Sequence, residues 1–166
     1  MKNNIFNGKH IACLMLTILL LVLYACGSET NQVEIAKFVF ASGKELICVG
    51  DDASTLETKL GKPEKYFEAE SCAFAGLDKT FTYKGFVVSS SPDDKKVDRI
   101  ADIYFSDASV KTIEGFGIGD SAEKLEEVYG TAESKNASSI TFVKEGVALQ
   151  FIIVNNTIQG VEYFAW

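Results

Sequence analysis

Four cysteines and one histidine are the side chains best suited to nucleophilic, redox or metal chemistry in this 166-residue chain: Cys13, Cys26, Cys48, Cys72 and His10. A Ser–His or Cys–His catalytic pair needs an imidazole beside its nucleophile, and past position 10 the chain has no histidine. The cysteine spacing contains no C-x-x-C pair, which argues against a zinc site and against a redox dithiol. Ser89-Ser90-Ser91 leads into a turn and lacks the form of a nucleophile elbow. Asp93-Asp94, followed by Lys95-Lys96, lacks the alternating acids, central glycine and closing glutamate of a calcium loop, and reads as a solvated loop. No catalytic group, metal or cofactor is therefore expected. A hydrolase is the less favoured alternative and would need an acidic pair placed together in space. The net charge of −7 argues against a nucleic-acid partner. The content of 23% charged and 11% aromatic residues argues against disorder.

Of the 47% hydrophobic residues, a dense part lies at the N-terminus. Residues 1–10 carry Lys2 and Lys9 and no acid, and 11–25 are apolar apart from Thr17. This is the n-region and h-region of a secretory signal, short of the roughly 20 residues that span a bilayer. It ends Leu23-Tyr24-Ala25-Cys26, which resembles the bacterial lipobox. That resemblance implies lipid attachment to the Cys26 thiol and cleavage before it, giving a signal peptide over 1–25 and a lipidated tether over 26–35. An ordinary signal peptide cut nearby, or an uncleaved N-terminal anchor, is the alternative. Two acyl chains on one cysteine would anchor stably where one would not. The mature chain would have 141 residues, with 14 basic and 23 acidic side chains and a net charge of −9. Such a body is repelled by anionic headgroups, so the expected location is extracytoplasmic, hanging from the cell membrane.

With Cys13 in the signal and Cys26 acylated, Cys48 and Cys72 remain. A disulfide between them would close a loop of about two dozen residues, worth roughly 3 kcal/mol by chain entropy. Two buried thiols are the alternative.

The elements that must position these residues include an internal match. Residues 50–61, GDDASTLETKLG, align without gaps on 119–130, GDSAEKLEEVYG, with six of twelve positions identical. Each reads as one short helix opened by an Asp cap, with Asp120 and Glu123 resembling a capping box. Leu56 with Leu60, and Leu125 with Tyr129, share a face. Gly61 and Gly130 stop the helices, and Pro63 prevents continuation of the first. Strands are expected over 66–74, 78–83, 86–90 and 99–105 after the first helix, and over 139–143, 147–154 and 158–164 after the second. Lys84-Gly85, Lys144-Glu145-Gly146 and Asn155-Asn156 supply turns. An extra hairpin over 34–40 and 45–49 precedes them. Alternation sets Phe81, Tyr83, Ile103 and Phe105 against Thr80, Thr82, Asp102 and Tyr104, so one face packs under helices and the other meets solvent.

The pattern G-x-S/D-…-L/V-…-Y/F-G-x-P, carried by Gly50 to Pro63 and by Gly119 to Gly130, resembles the tandem β-lactamase-inhibitor-like fold. The same unit occurs singly in outer-membrane assembly lipoproteins of the BamE (SmpA/OmlA-like) type. The second copy has Ala132 in place of proline. The chain also resembles uncharacterised lipoproteins of Gram-positive bacteria, most distinctively in SCAFAGLDK, 71–79. The expected fold is α+β: two helix-plus-antiparallel-sheet (αβββ) repeats with the added N-terminal hairpin, the first unit over 36–110 and the second over 111–166. Inhibition of a β-lactamase is not implied, because no inhibitory loop can be matched.

Two groups are candidates for a partner-binding face. The 71–79 segment is inserted relative to the second repeat and would offer Asp78 and Lys79, or else form a bulge with Gly76 at the bend and Cys72 and Phe74 in the core. The aromatics Tyr66, Tyr83, Tyr104, Phe116 and Tyr163, with Trp166, would form an open-sheet face, or else belong to the core. The function expected is a lipid-anchored binding or interaction module of the bacterial envelope with a protein or envelope-component partner. A structural or assembly role in a permanent envelope complex is the alternative.

Overall fold

The structure is a computed structural model and describes residues 37–166. The expected signal peptide, Cys26, the tether and the start of the first hairpin strand lie outside the described residues.

Phe40–Ser42 (β1) and Glu45–Ile47 (β2) form a separate two-stranded hairpin. A 3₁₀ turn over Ala53–Thr55 runs into helix α1, Leu56–Leu60. Four strands follow: β3 Lys65–Glu70, β4 Leu77–Tyr83, β5 Phe86–Pro92 and β6 Asp98–Phe105. Helix α2, Leu125–Tyr129, precedes β7 Ser134–Lys135, β8 Ser139–Lys144, β9 Val147–Val154 and β10 Thr157–Ala165. The eight strands make one antiparallel sheet in the order β3-β4-β5-β6-β10-β9-β8-β7. The chain thus runs from each edge to the middle, where Tyr163 pairs with Ile103.

Period-two alternation builds the core. Phe81, Val88, Ile103, Tyr163, Leu149 and Phe142 stand opposite one another across six strands, and all six are buried. Phe40 and Ile47 of the hairpin, Leu56 of α1 and Leu125 of α2 belong to the same cluster.

The expected αβββ pair is corrected. The molecule is mostly β, with one continuous sheet and helices of five residues each. A layer of helix needs a stripe several turns long to cover a sheet, and α1 buries only Leu56. Gly61 and Gly130, at φ +78° and +86°, stop each helix where expected. Their starts are later than expected. Asp52 caps the 3₁₀ turn through the Ser54 amide at 2.9 Å, whereas α2 has no side-chain cap. Asp120 instead accepts from the Gly117 amide at 2.7 Å, and Asp51 from the Cys48 amide at 3.1 Å. Both close the turn before their segment and leave the helix uncapped. The hairpin and loops cover the sheet in place of a helical layer.

The two matched segments dock alike. The Gly50 amide donates to Ile100 and the Ile100 amide to Asp51, at 2.8 and 2.9 Å. The Gly119 amide donates to Ile158 and the Ile158 amide to Asp120, at the same distances. Among the described residues no helix is long and apolar enough to cross a membrane.

Candidate functional site

The groove best furnished with functional groups lies between the Ala53–Leu60 segment and the β3–β4 end of the sheet. It has a volume of about 250 Å³. Tyr66 and Phe81, paired across β3 and β4 with ring centroids 5.2 Å apart, form its floor. Ser54 and Glu57 rim it from the helical side, and the Lys79–Asp98 ion pair closes it. The Tyr66 hydroxyl donates to the Glu68 carboxylate, and that bond pushes its pKa up to about 12. The groove is therefore acidic: Glu57 lines it with no basic partner among the described residues, Glu68 stands next to it on the Tyr66 hydroxyl, and Lys79 is spent on Asp98.

A second groove of about 330 Å³ occupies the matching place under α2. Ala122 and Glu126 line it where Ala53 and Glu57 line the first. Its floor is aliphatic, Ile140 and Ile153, and Lys135 pairs with Glu126. Asn156 donates to Glu123 at 3.1 Å. The ring floor thus distinguishes the first groove.

The candidate residues are not brought to one face. Tyr66 and Lys79 meet in the first groove. Tyr83 is buried, stacked on Phe86 at 5.1 Å, and Tyr163 is buried in the central row. Phe116 packs on Tyr129 at 5.8 Å. Asp78 and Tyr104 lie on the opposite face, where Tyr104 is 42% exposed and one Asp78 oxygen is buried without a partner among the described residues. Strand alternation imposes this split: positions of one parity meet the core, and only those at the sheet's end escape burial. Sequence reasoning missed Glu57, Glu68, Asp98 and the exposed Phe67. Only Glu57 carried a signal, as one of the six identities with the second segment.

Segment 71–76 is the loop between β3 and β4, closed by the Ser71 amide on the Gly76 carbonyl at 3.0 Å. Cys72 and Phe74 are exposed there, outside the core. The Cys48–Cys72 disulfide is likewise corrected, because both thiols are unpaired. Cys48 is buried behind the hairpin, where its Sγ donates to the Phe38 carbonyl at 3.2 Å. Burial pushes its pKa up, which makes it a poor nucleophile. In the 93–96 loop, the Asp93 carboxylate accepts from the Lys95 and Val97 amides at 2.9 Å and from Arg99 at 3.0 Å. The Val97 bond foremost holds its pKa down.

On the outer face, Asp102 opposes Phe164, and Glu162 opposes Tyr104 two residues along. Partial burial raises the pKa of Asp102, against the lowering effect of the Ser89 hydroxyl. Burial, and then Asp102, raise that of Glu162. A raised carboxyl pKa favours folding below the ordinary carboxylate range and withdraws that stability as pH rises through the folded value. Asp102→Asn is accordingly expected to raise stability at neutral pH by about 1 kcal/mol. The gain should vanish below about pH 4. Melting curves at the two pH values check this, and a loss at neutral pH would contradict it.

No family model matches the chain, and no curated protein matches it. Among solved structures it is similar to an extracellular protein containing a SCP domain from Bacillus anthracis, at 13% identity and a TM-score of 0.49. The match covers 76% of this chain and 50% of that one, so this chain spans about half its length.

Proposed function

We infer that the chain is a lipid-anchored extracytoplasmic interaction module of the bacterial cell envelope. Cys26 holds it to the membrane, and the β3 end of its sheet engages a protein partner. The observation that carries the binding role is the neighbourhood of Tyr66 and Phe67. They are consecutive aromatics on opposite faces of β3, 49% and 67% exposed, and Tyr66 floors the groove, where Glu57 has no basic partner among the described residues. Exposed aromatics next to uncompensated charge are the composition of binding anchors. The anchoring role is supported by the LYAC string and its flanks.

Cys26→Ser tests the anchor in the native host. The expected result is loss of the mature protein from the membrane fraction, or accumulation of uncut precursor. Membrane retention of a mature-sized product would refute it. Gentle detergent extraction of the wild type separates the two roles. A stoichiometric complex indicates permanent assembly, and a monodisperse protein indicates transient binding.

A further inference from the structure

β3 is a terminal strand, hydrogen-bonded to β4 alone among the described residues, and all six of its residues are exposed. The other edge, β7, is only two residues long, and short edge strands resist pairing. β3 lacks that protection.

The register shows which backbone groups face outward. The Ser71 amide donates to Gly76, and the pairing continues Glu70↔Leu77, Ala69↔Asp78, Glu68↔Lys79, Phe67↔Thr80. Hydrogen-bonded pairs alternate in an antiparallel ladder, so Ala69 and Phe67 bond to β4, and Tyr66, Glu68 and Glu70 do not. The neighbouring hairpin agrees. Its two-residue turn closes on Tyr83↔Phe86, so positions 83, 81 and 79 bond to β5, leaving 82, 80 and 78 for β3. The amides and carbonyls of Tyr66, Glu68 and Glu70 therefore point away from the sheet. Their side chains lie on the core-side face, with Phe81 and Lys79 opposite Tyr66 and Glu68. Phe67 and Ala69 lie on the other face.

We propose that β3 accepts an antiparallel strand from a partner protein, an extended segment in which basic and apolar residues alternate. This rests on the interaction-module reading and names its partner's chemistry. Backbone pairing supplies affinity, and alternate side chains supply specificity. On the core-side face the added strand meets Glu68 and Glu70, with Glu57 across the groove, which selects Lys or Arg. On the other face it meets Phe67, which selects a β-branched or aromatic residue. A second copy of this chain is the wrong occupant. Two antiparallel copies of β3 would put the Glu68 and Glu70 of both strands on one face, with no base among them. The same acids thus keep the long edge from self-pairing.

The test uses synthetic peptides of about eight residues, enough to span the strand. One alternates Arg and Val, one alternates Glu and Val, one has the Arg/Val composition in two blocks, and one is the alternating Arg/Val peptide N-methylated on a single hydrogen-bonding edge. Binding is read by fluorescence anisotropy and by hydrogen exchange of the β3 amides. The alternating Arg/Val peptide should bind and slow exchange at Tyr66, Glu68 and Glu70 by about tenfold or more; the other three should not. Glu68→Pro should abolish binding while leaving exchange of the β4-bonded amides and the melting temperature unchanged, since it removes only an outward amide. Glu68→Gln should weaken binding by up to about tenfold and reduce its salt dependence. Equal binding by the blocked or N-methylated peptide, or protection away from β3, would overturn the proposal. The N-methylated peptide keeps that outcome available even if Glu68→Pro does not fold. A photo-crosslinker at position 67 of the lipidated chain separates the two failures. A defined adduct without peptide binding overturns strand addition and leaves the interaction-module reading standing; absence of both overturns both.

Discussion

Phe40→Ala is expected to lower stability by about 3–5 kcal/mol, the range for emptying a buried phenylalanine site. Phe40 is fully buried, with its ring centroid 4.7 Å from Phe86, 5.3 Å from Phe105 and 6.2 Å from Tyr163. Among the described residues, the strand that carries it pairs only with β2 and has no backbone ladder to the large sheet. Side-chain packing is therefore the main hold on the hairpin, beside the Lys59 ammonium on the Leu46 carbonyl at 3.2 Å and the Gly50 amide on Ile100 at 2.8 Å just after β2, and Phe40 is its central contact. Removing the ring leaves a cavity under a hairpin with few other means of attachment. The denaturation midpoint should fall with little change in slope. Cys48 should also become reactive to thiol reagents in the folded protein, because the hairpin that buries it opens locally. A loss below about 1 kcal/mol, with Cys48 still shielded, would show that the hairpin is held by other contacts.

The second large effect is a contrast between two turn glycines. Gly85 and Gly146 each close a hairpin, on Tyr83↔Phe86 and Lys144↔Val147, at φ +84° and +76°. An alanine at either position carries the strain of a left-handed backbone, about 1–2 kcal/mol. A Cβ on Gly146 would meet nothing within 4 Å. One on Gly85 would lie 2.3 Å from Ser109 Oγ and 2.9 Å from Val110 Cγ1. The loop is held there by the Ser106 amide on the Gly85 carbonyl at 2.9 Å. Gly85→Ala should therefore cost about 1–3 kcal/mol more than Gly146→Ala. Ser109→Gly in the same chain should recover part of the difference. Equal losses from the two substitutions would mean that the 106–110 loop moves aside freely.

Much of the fold was legible in local pattern. The strand over 78–83 follows from alternating apolar residues and that over 147–154 from a near-continuous apolar run, and Asn155-Asn156 turns through φ +50° and +61° as its composition demands. The matched docking of Gly50-Asp51 and Gly119-Asp120 has a visible origin in their shared residues. The helices were overread, since an apolar pair four apart is compatible with a single turn. The disulfide failed because spacing carries no information on whether two Cβ atoms meet. The site was legible only in part. Tyr66 and Tyr83 share the core-side face, yet one is half exposed and the other buried, because Tyr66 stands on a strand with no neighbour beyond it among the described residues.

By itself the sequence determined what is local along the chain: which residues alternate, where glycine and asparagine permit a turn, and how acidic a partner surface would be. Tertiary structure alone decided that β6 meets β10 and fuses the strands into one sheet. It also decided that β3 is left at the edge with Tyr66, Glu68 and Glu70 turning their backbones outward. Propensity and periodicity act over a few residues. Strand order and edge exposure depend on pairings between segments some sixty residues apart, as Ile103 and Tyr163 are, which no local pattern encodes.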